Sequence, residues 1–565
     1  MKTIRWTICL AVAGLLTLQG SFAHGVSNDE TNATDSPATA AAARAAAQGD
    51  ALLEALLTEL DRSKAHLKMD QVQAPYYIEY RVNDVDDFGA EAAFGAIREQ
   101  QRVHVRVLRV VVRIGDYKQD SYYGAGQGEA NILPLDNDPI ALRHQIWLAT
   151  DDAYKAAGEA LAEKQAYMKQ FAADPNPVDD FAKAAVVTDV GGTVSLRVDE
   201  PAWRKTLEDI TDVYRQYPEI QSVTASARFT ATNEYLVNSE GTVTRHGHTT
   251  YSVQVTGSTQ APDGMRLART PAWMVAKAEE LPTRETLLKD TAATMDTLIA
   301  LRKAPIVEEE YRGPVLFAPD AANDVIASLV GGNVLGRKPQ PGKPNRTVGA
   351  FATSYKSRVL PNFLSIIDDP TLKEFQGKSL VGSYEVDSEG VKPQAVTVVE
   401  NGTLANYLLG RQPIRDFPAS NGHGRSAAGS LPSPSLGVLL VKSTEAQSPE
   451  ELKKRVIQMI TDQGREYGYR VETLGAQNAP RLLYRVYKDG HEELVRGAVF
   501  SELDIRALRS GLIAVGNDPL VNNRQGGIPA TVISPSLLFD ELEVKRADTS
   551  KDKLPEYPAP PLTKK

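Results

Sequence analysis

The 565-residue chain holds one cysteine, Cys9. It lies in the 13-residue apolar run from Trp6 to Leu18, after the basic Lys2 and Arg5 and before Ser21-Phe22-Ala23. A basic start, a short apolar core and small residues at −3 and −1 form a secretory signal, with a cut expected before His24. The mature chain then carries no thiol. That excludes disulfides, a cysteine nucleophile and a cysteine metal ligand. No later run approaches the roughly 18–20 apolar residues of a membrane span. The sequence therefore predicts an exported protein, periplasmic or secreted, without a membrane span.

Positive charge is also scarce. There are 63 Lys and Arg against 72 Asp and Glu, a net charge of −9, or about −11 once Lys2 and Arg5 leave. Nucleic-acid binding needs clustered cations, so this balance argues against it, and against anionic membranes. Gly331-Gly332-Asn333-Val334-Leu335-Gly336-Arg337 lacks the Gly-Lys-Ser/Thr ending of a phosphate loop. Gly-x-Ser-x-Gly, the turn of a serine hydrolase, is absent. No histidine occurs between His248 and His423.

What is present divides into a linker over 24–49, passing into an Ala-rich helix, an N-terminal domain over 50–305, a C-terminal domain over 306–546 and a disordered Pro-rich tail over 547–565. Leu52, Leu53, Leu56, Leu57 and Leu60 predict an amphipathic helix from Asp50 to Met69. Strands are expected at 74–82 and 103–114. Arg102, His104 and Arg106 alternate with valines there and read as the solvent face of a half-buried strand, rather than a polyanion patch. Helices are expected from Asp138 to Phe171 and from Glu200 to Tyr217. Strands at 223–230, 234–237 and 243–256 surround the turn Asn238-Ser239-Glu240-Gly241-Thr242. Trp273 to Arg302 reads as one helix kinked or broken at Pro282, and Ser448 caps another that runs to Tyr467.

The central stretch is Asp324 to Arg337, after the strand-like Gly313 to Ala318. Leu364 to Leu372, Asp387-Ser388-Glu389-Gly390 and Val398 to Leu409 follow in order. This series, with the NSEGT turn, resembles the TldD/PmbA (TldE) family, once called modulators of DNA gyrase and now regarded as metallopeptidases. The resemblance implies an α+β protein of two domains, the C-terminal one of curved, mainly antiparallel sheet. In the catalytic TldD branch a HExxxH helix supplies two zinc ligands and a general base, and a loop near the C-terminus supplies a cysteine ligand. Carried onto this chain, the two histidines fall on Ala327 and Gly332, the glutamate on Ser328, and a helix-distorting glycine on Gly331. The loop falls on Val521 to Gly527, which has no cysteine. Methyl, hydrogen and neutral hydroxyl can neither bind zinc nor deprotonate its water.

No catalytic or metal residue is therefore assigned, and no cofactor is expected in this chain. The resemblance implies a TldE-like subunit whose partner is a HExxxH-bearing paralogue that holds zinc, or a second copy of the chain, acting on peptides or unfolded proteins. The other two readings are an active metallopeptidase with relocated ligands, and a peptide-binding scaffold without a protease partner. Relocated ligands would come from His246 and His248, two apart on one strand face, from His423 between glycines, or from His491-Glu492-Glu493 beside a turn. Plainer readings are solvent-facing histidines, a loop histidine and surface charge. Asp368-Asp369-Pro370 and Asp387/Glu389 read as turn caps rather than as an acid and base pair.

Overall fold

A computed structural model describes residues 37–553, apart from 125, 172–175, 341, 342, 344 and 525. The expected signal peptide and the last twelve residues of the expected tail lie outside the described residues. Within the expected linker, Pro37–Ala47 forms helix α1, with Ala43 and Ala47 in the core. Asp50 caps α2 (Ala51–His66), its carboxylate accepting the N–H groups of Leu52 and Leu53 at 3.1 and 3.0 Å. This satisfies two of the donors that a helix start leaves free.

The N-terminal half is built on two very long hairpins. β1 (Pro75–Ala93) pairs with β2 (Ala96–Ile114), and β5 (Ser222–Asn238) with β6 (Val243–Gln260). Between them in the chain come β3 (Ala130–Leu133), α3 (Pro139–Met168), β4 (Thr188–Val190) and α4 (Glu200–Asp212). The sheet order is β3-β2-β1-β5-β6-β4, and β7 (Arg266–Arg269) and β8 (Ala272–Val275) also pair with β6. The strands are longer than local propensity indicated. The polar stretch Asn83–Asp87 stays in the ladder because both neighbouring strands pair with it.

Alternation gives this sheet two different faces. Ile78, Tyr80 and Val82 pack under α2 and α3 in one cluster. Further along β1, Phe88, Ala90 and Ala92 share a second cluster with Leu207 and Ile210 of α4. The opposite face carries Tyr77, Glu79, Arg81, Asn83 and Asp87, which are buried as well. It is covered by loops of the C-terminal half: Arg81 Nη1 donates to Ser426 Oγ at 2.8 Å, and Arg109 to the Gly429 carbonyl at 3.4 Å.

The basic row of β2 differs from its expected form. Arg102 and His104 are exposed, but Arg106 is buried, and Val103 between them is exposed. Each of the three side chains is matched across the ladder: Arg102 with Asp86 at 2.7 Å, His104 with Asp84 at 2.6 Å and Arg106 with Asp84 at 2.8 Å. The expected helix from Trp273 is also corrected. Ala272–Val275 is recruited as a strand by β6, and α5 (Arg284–Lys303) begins after Thr283, whose hydroxyl caps it. Pro282 thus precedes the helix rather than kinking it.

The C-terminal half has two mixed sheets around one large core. β9 (Tyr311–Phe317) lies between Leu537–Arg546 and Tyr467–Leu474 in one of them. The other runs Thr403–Leu404, Val396–Glu400, β10 (Leu364–Asp368), Val438–Ser443, Ala530–Ser534, Leu520–Arg524. Pairing is mainly antiparallel, with three parallel pairs. α6 (Pro319–Leu329) leaves β9 directly, with Pro319 at its first turn. α7 (Pro449–Asp462) starts in a full capping box of Ser448 and Glu451.

Candidate functional site

α6 carries the positions that the resemblance assigns to a zinc helix. Its inner face holds Ala321, Ala322, Val325 and Ile326 in the core, and its outer face holds Asp324, Ala327 and Ser328. Five residues on an ideal helix turn about 500°, so Ala327 and Gly332 would point apart. The chain does not stay ideal. The α-helix stops at Leu329, Val330 takes φ −103°, ψ −57°, and Gly331–Asn333 is a 3₁₀ turn. Asn333 secures the break, its amide donating to the Leu329 carbonyl at 2.9 Å and accepting from Ala350 N–H at 2.8 Å.

The two glycines there differ in kind. A Cβ on Gly331 would strike the Leu436 side chain at 2.8 Å, whereas a Cβ on Gly332 would meet nothing within 4 Å. The distorted backbone and an open outward position are thus present without ligands. Ser328 Oγ folds back to the Asp324 carbonyl at 2.8 Å, and Asp324 pairs with Arg524 at 2.8 Å. Burial, then Asp324, then Glu472 push the Asp320 carboxyl up.

Beside α6 runs Leu520–Arg524, the terminal strand of the six-stranded sheet and the start of the expected cysteine loop. Asn323 of α6 holds it, donating to the Leu520 carbonyl at 3.0 Å. Asn523 is fully engaged: it donates to the Met274 and Ser379 carbonyls at 3.0 and 2.9 Å, and accepts from Thr531 Oγ and Val381 N–H at 2.7 and 3.2 Å. Ala327, Ser328, Gly332 and Val521–Arg524 therefore do not fit zinc. Among the described residues no group of three or more His, Cys, Asp or Glu is arranged to hold a metal ion.

The histidines considered as relocated ligands are not brought together, although His423 meets the Asp368 carboxylate. His423 is fully buried rather than on a mobile-looking loop. Its Nδ1 lies 3.1 Å from the Asn421 carbonyl and its Nε2 3.4 Å from Asp368 Oδ1. Asp368 is not the turn cap; Asp369 is, accepting from Thr371 N–H at 3.1 Å. Asp368 is fully buried and accepts from Gly437 and Val438 N–H at 3.1 and 3.0 Å. His248 is exposed, while His246 is half-buried with Nε2 3.9 Å from Asp189. His491 stacks on Tyr487 with ring centroids 4.2 Å apart, Glu492 pairs with Arg470 and Lys453, and Glu493 with Arg485.

Sequence reasoning missed a second polar centre, the seam between the halves. Arg411 is fully buried and reaches from the C-terminal half into the N-terminal one. It donates to the Ala182 carbonyl through Nε at 2.9 Å and Nη2 at 2.7 Å, to Glu240 at 2.7 Å and to Tyr77 Oη at 3.3 Å, and stacks 4.0 Å over Phe181. Lys338 adds a second cross-link to Asp180 at 2.8 Å. Asp387 and Glu389 belong to this seam. Asp387 does close its own turn, accepting from Glu389 and Val391 N–H at 2.9 and 2.8 Å, but it also takes Gly424 N–H at 2.9 Å. Burial, then the Glu389 charge, outweigh those donors and push its carboxyl up to about 8. Glu389 accepts from Arg411 N–H at 2.6 Å. The one available signal was the pair of acids next to Gly390, which local turn chemistry explained too readily.

Comparison with known proteins places this architecture. Residues 310–546 match the family model described as the PmbA/TldA metallopeptidase C-terminal domain. A protein of Archaeoglobus fulgidus named metalloprotease is 33% identical over 75 residues, 13% of this chain and 16% of the relative. One of Methanothermobacter thermautotrophicus, also named metalloprotease, is 39% identical over 70 residues, 12% of this chain and 14% of the relative. The chain thus spans under a fifth of the length of these relatives. TldE from Thermococcus kodakarensis superposes with a TM-score of 0.57 at 12% identity, covering 87% of this chain and 100% of that one. A candidate modulator of a DNA gyrase from Thermotoga maritima MSB8 gives 0.57 at 16% identity, covering 86% and 99%. Those two likenesses are of fold. Residues 310–546 therefore resemble a PmbA/TldA metallopeptidase C-terminal domain, on a chain whose overall fold is similar to that of TldE from Thermococcus kodakarensis.

Proposed function

We propose that this chain is a non-catalytic, TldE-like subunit of an exported metallopeptidase complex. Its catalytic partner is a HExxxH-bearing, zinc-holding paralogue, and the complex acts on peptides or unfolded proteins. The observation that carries the reading is the α6 ledge. Backbone distortion and the open position at Gly332 are kept, while Ala327, Ser328, Gly332 and Val521–Arg524 offer nothing that binds zinc. A family scaffold without its ligands serves by walling a chamber and presenting strand edges. Leu520–Arg524 closes its sheet beside that ledge and is the edge on which a peptide would add as a strand. The start of the chain, with Lys2, Arg5 and the apolar run to Leu18, supports export.

The test is metal content and pairing, measured on the chain from His24 onward. Elemental mass spectrometry of the chain purified alone is expected to give near zero zinc per chain. Co-expression with a HExxxH-bearing paralogue is expected to give a stable complex containing zinc and peptidase activity. One tightly held zinc in the isolated chain would overturn the reading.

A further inference from the structure

Arg81 on β1 and Arg109 on β2 are directly opposite each other in the ladder, on the face covered by the C-terminal half. Opposed side chains in an antiparallel pair hold their Cβ atoms about 4.5–5.5 Å apart, and like charges so placed repel. Burial, then Arg81, lower the pKa of Arg109.

Their partners fall short of their donors. Arg81 is 4% exposed; Nη1 donates to Ser426 Oγ at 2.8 Å, and Nε forms an ion pair with Glu79 Oε1 at 3.5 Å but no hydrogen bond. Arg109 Nη1 reaches only the Gly429 carbonyl at 3.4 Å. Arg81 Nε, Arg81 Nη2 and Arg109 Nε are buried without a hydrogen-bond partner. Buried donors of a charged group are costly to leave unpaired. Three neighbouring acids are already engaged: Glu79 accepts the Tyr77 hydroxyl at 2.6 Å, Asp120 pairs with Arg113 at 2.7 Å and Glu240 with Arg411 at 2.7 Å; the exposed Glu129 raises the Arg109 pKa without an ion pair to it. Among the described residues no carboxylate forms an ion pair with Arg109.

The covering segment is Ser426-Ala427-Ala428-Gly429-Ser430, without one bulky side chain, and its Ala428 and Ser430 are exposed. Arg109 itself is only partly buried. Two planar forks with spare donors, beneath a thin loop of small residues, match a group with two or more oxygens on one charged centre. We propose that Arg81 and Arg109 form an oxyanion site at the seam, beneath the Ser426–Ser430 loop. The oxyanion is either a free inorganic ion or the carboxylate of a peptide. The inference does not rest on the pairing proposed above.

The test is thermal unfolding of the full mature chain at constant ionic strength, replacing chloride by sulfate. A second arm uses an N-acetylated dipeptide with a free carboxylate, against its amide. The expected result is a saturable rise in Tm, with half-saturation at least about tenfold weaker in Arg109→Gln, as expected for losing charge-assisted bonds. In oxyanion-free buffer Arg109→Gln should unfold at the wild-type temperature or above, because the repulsion is gone. Sulfate active alone identifies the inorganic source. The free dipeptide active without its amide identifies a peptide carboxylate, and both active means a general oxyanion site. Should Arg109→Gln not fold, Arg109→Lys replaces it with the same expected loss, since lysine lacks the fork. A rise equal in wild type and variant, as general salt exclusion gives, would overturn the site, as would no rise with either probe.

Discussion

The seam and the α6 ledge use polar residues in opposite ways. At the seam, side chains far apart in sequence converge and Arg411 is fully committed: it alone joins Ala182, Glu240 and Tyr77. At the ledge, the backbone carries the special geometry and the side chains are small or turned back on their own helix. The lesson is that unusual backbone and unusual side-chain chemistry are separable. The first persists at α6 because Leu436 and Asn333 hold it, independently of any ligand.

Substitutions can break that contrast. The largest effect is expected at Arg411. Arg411→Ala leaves Glu240 without its arginine partner and should cost roughly 3–5 kcal/mol, the usual result of breaking a buried pair. Urea unfolding measures it, and a loss under 1 kcal/mol would mean that the seam contributes little to stability. Next is Asp368→Ala, which strands the N–H groups of Gly437 and Val438; about 2–3 kcal/mol is expected by the same measurement.

The ledge should respond unevenly. Gly331→Ala forces a methyl against Leu436 and should cost about 1–3 kcal/mol, whereas Gly332→Ala should stay within about 0.5 kcal/mol. Equal costs would show that the open position is not open in solution. The seam should also depend on pH. The Asp387 carboxyl is raised to about 8 in the folded state, so it binds a proton there that the unfolded chain has released. Its contribution is complete below its unfolded value near 4 and is lost as pH rises through 8. The urea midpoint should therefore fall between pH 5 and pH 8.5, and Asp387→Asn should flatten that fall.

Local elements were legible where one segment decides them. The Asn238–Thr242 turn and the Ser448 cap follow from residues a few positions apart, and both form. The candidate ledge was legible for the same reason, since Asp324 to Arg337 is one continuous stretch. Strand length was not, because Asn83 to Asp87 and Thr230 to Glu234 look unlike strands until a neighbouring strand pairs with them. Nor was the burial of His423, Asp368 and Glu389. Each lies within two residues of glycine or proline, where a turn is the simplest local solution, and only contacts across the fold reveal another role.

By itself, then, the sequence determined the helix starts, the tight turns, the amphipathic faces and the absence of histidine and glutamate at Ala327, Ser328 and Gly332, because these depend on spacing and on residue type alone. The tertiary structure decided which polar groups meet. Arg81 and Arg109 are 28 residues apart in the chain, and Arg411 and Ala182 229 apart. Strand register and the packing of the two halves bring them together, and both are set by the burial of apolar faces elsewhere in the molecule.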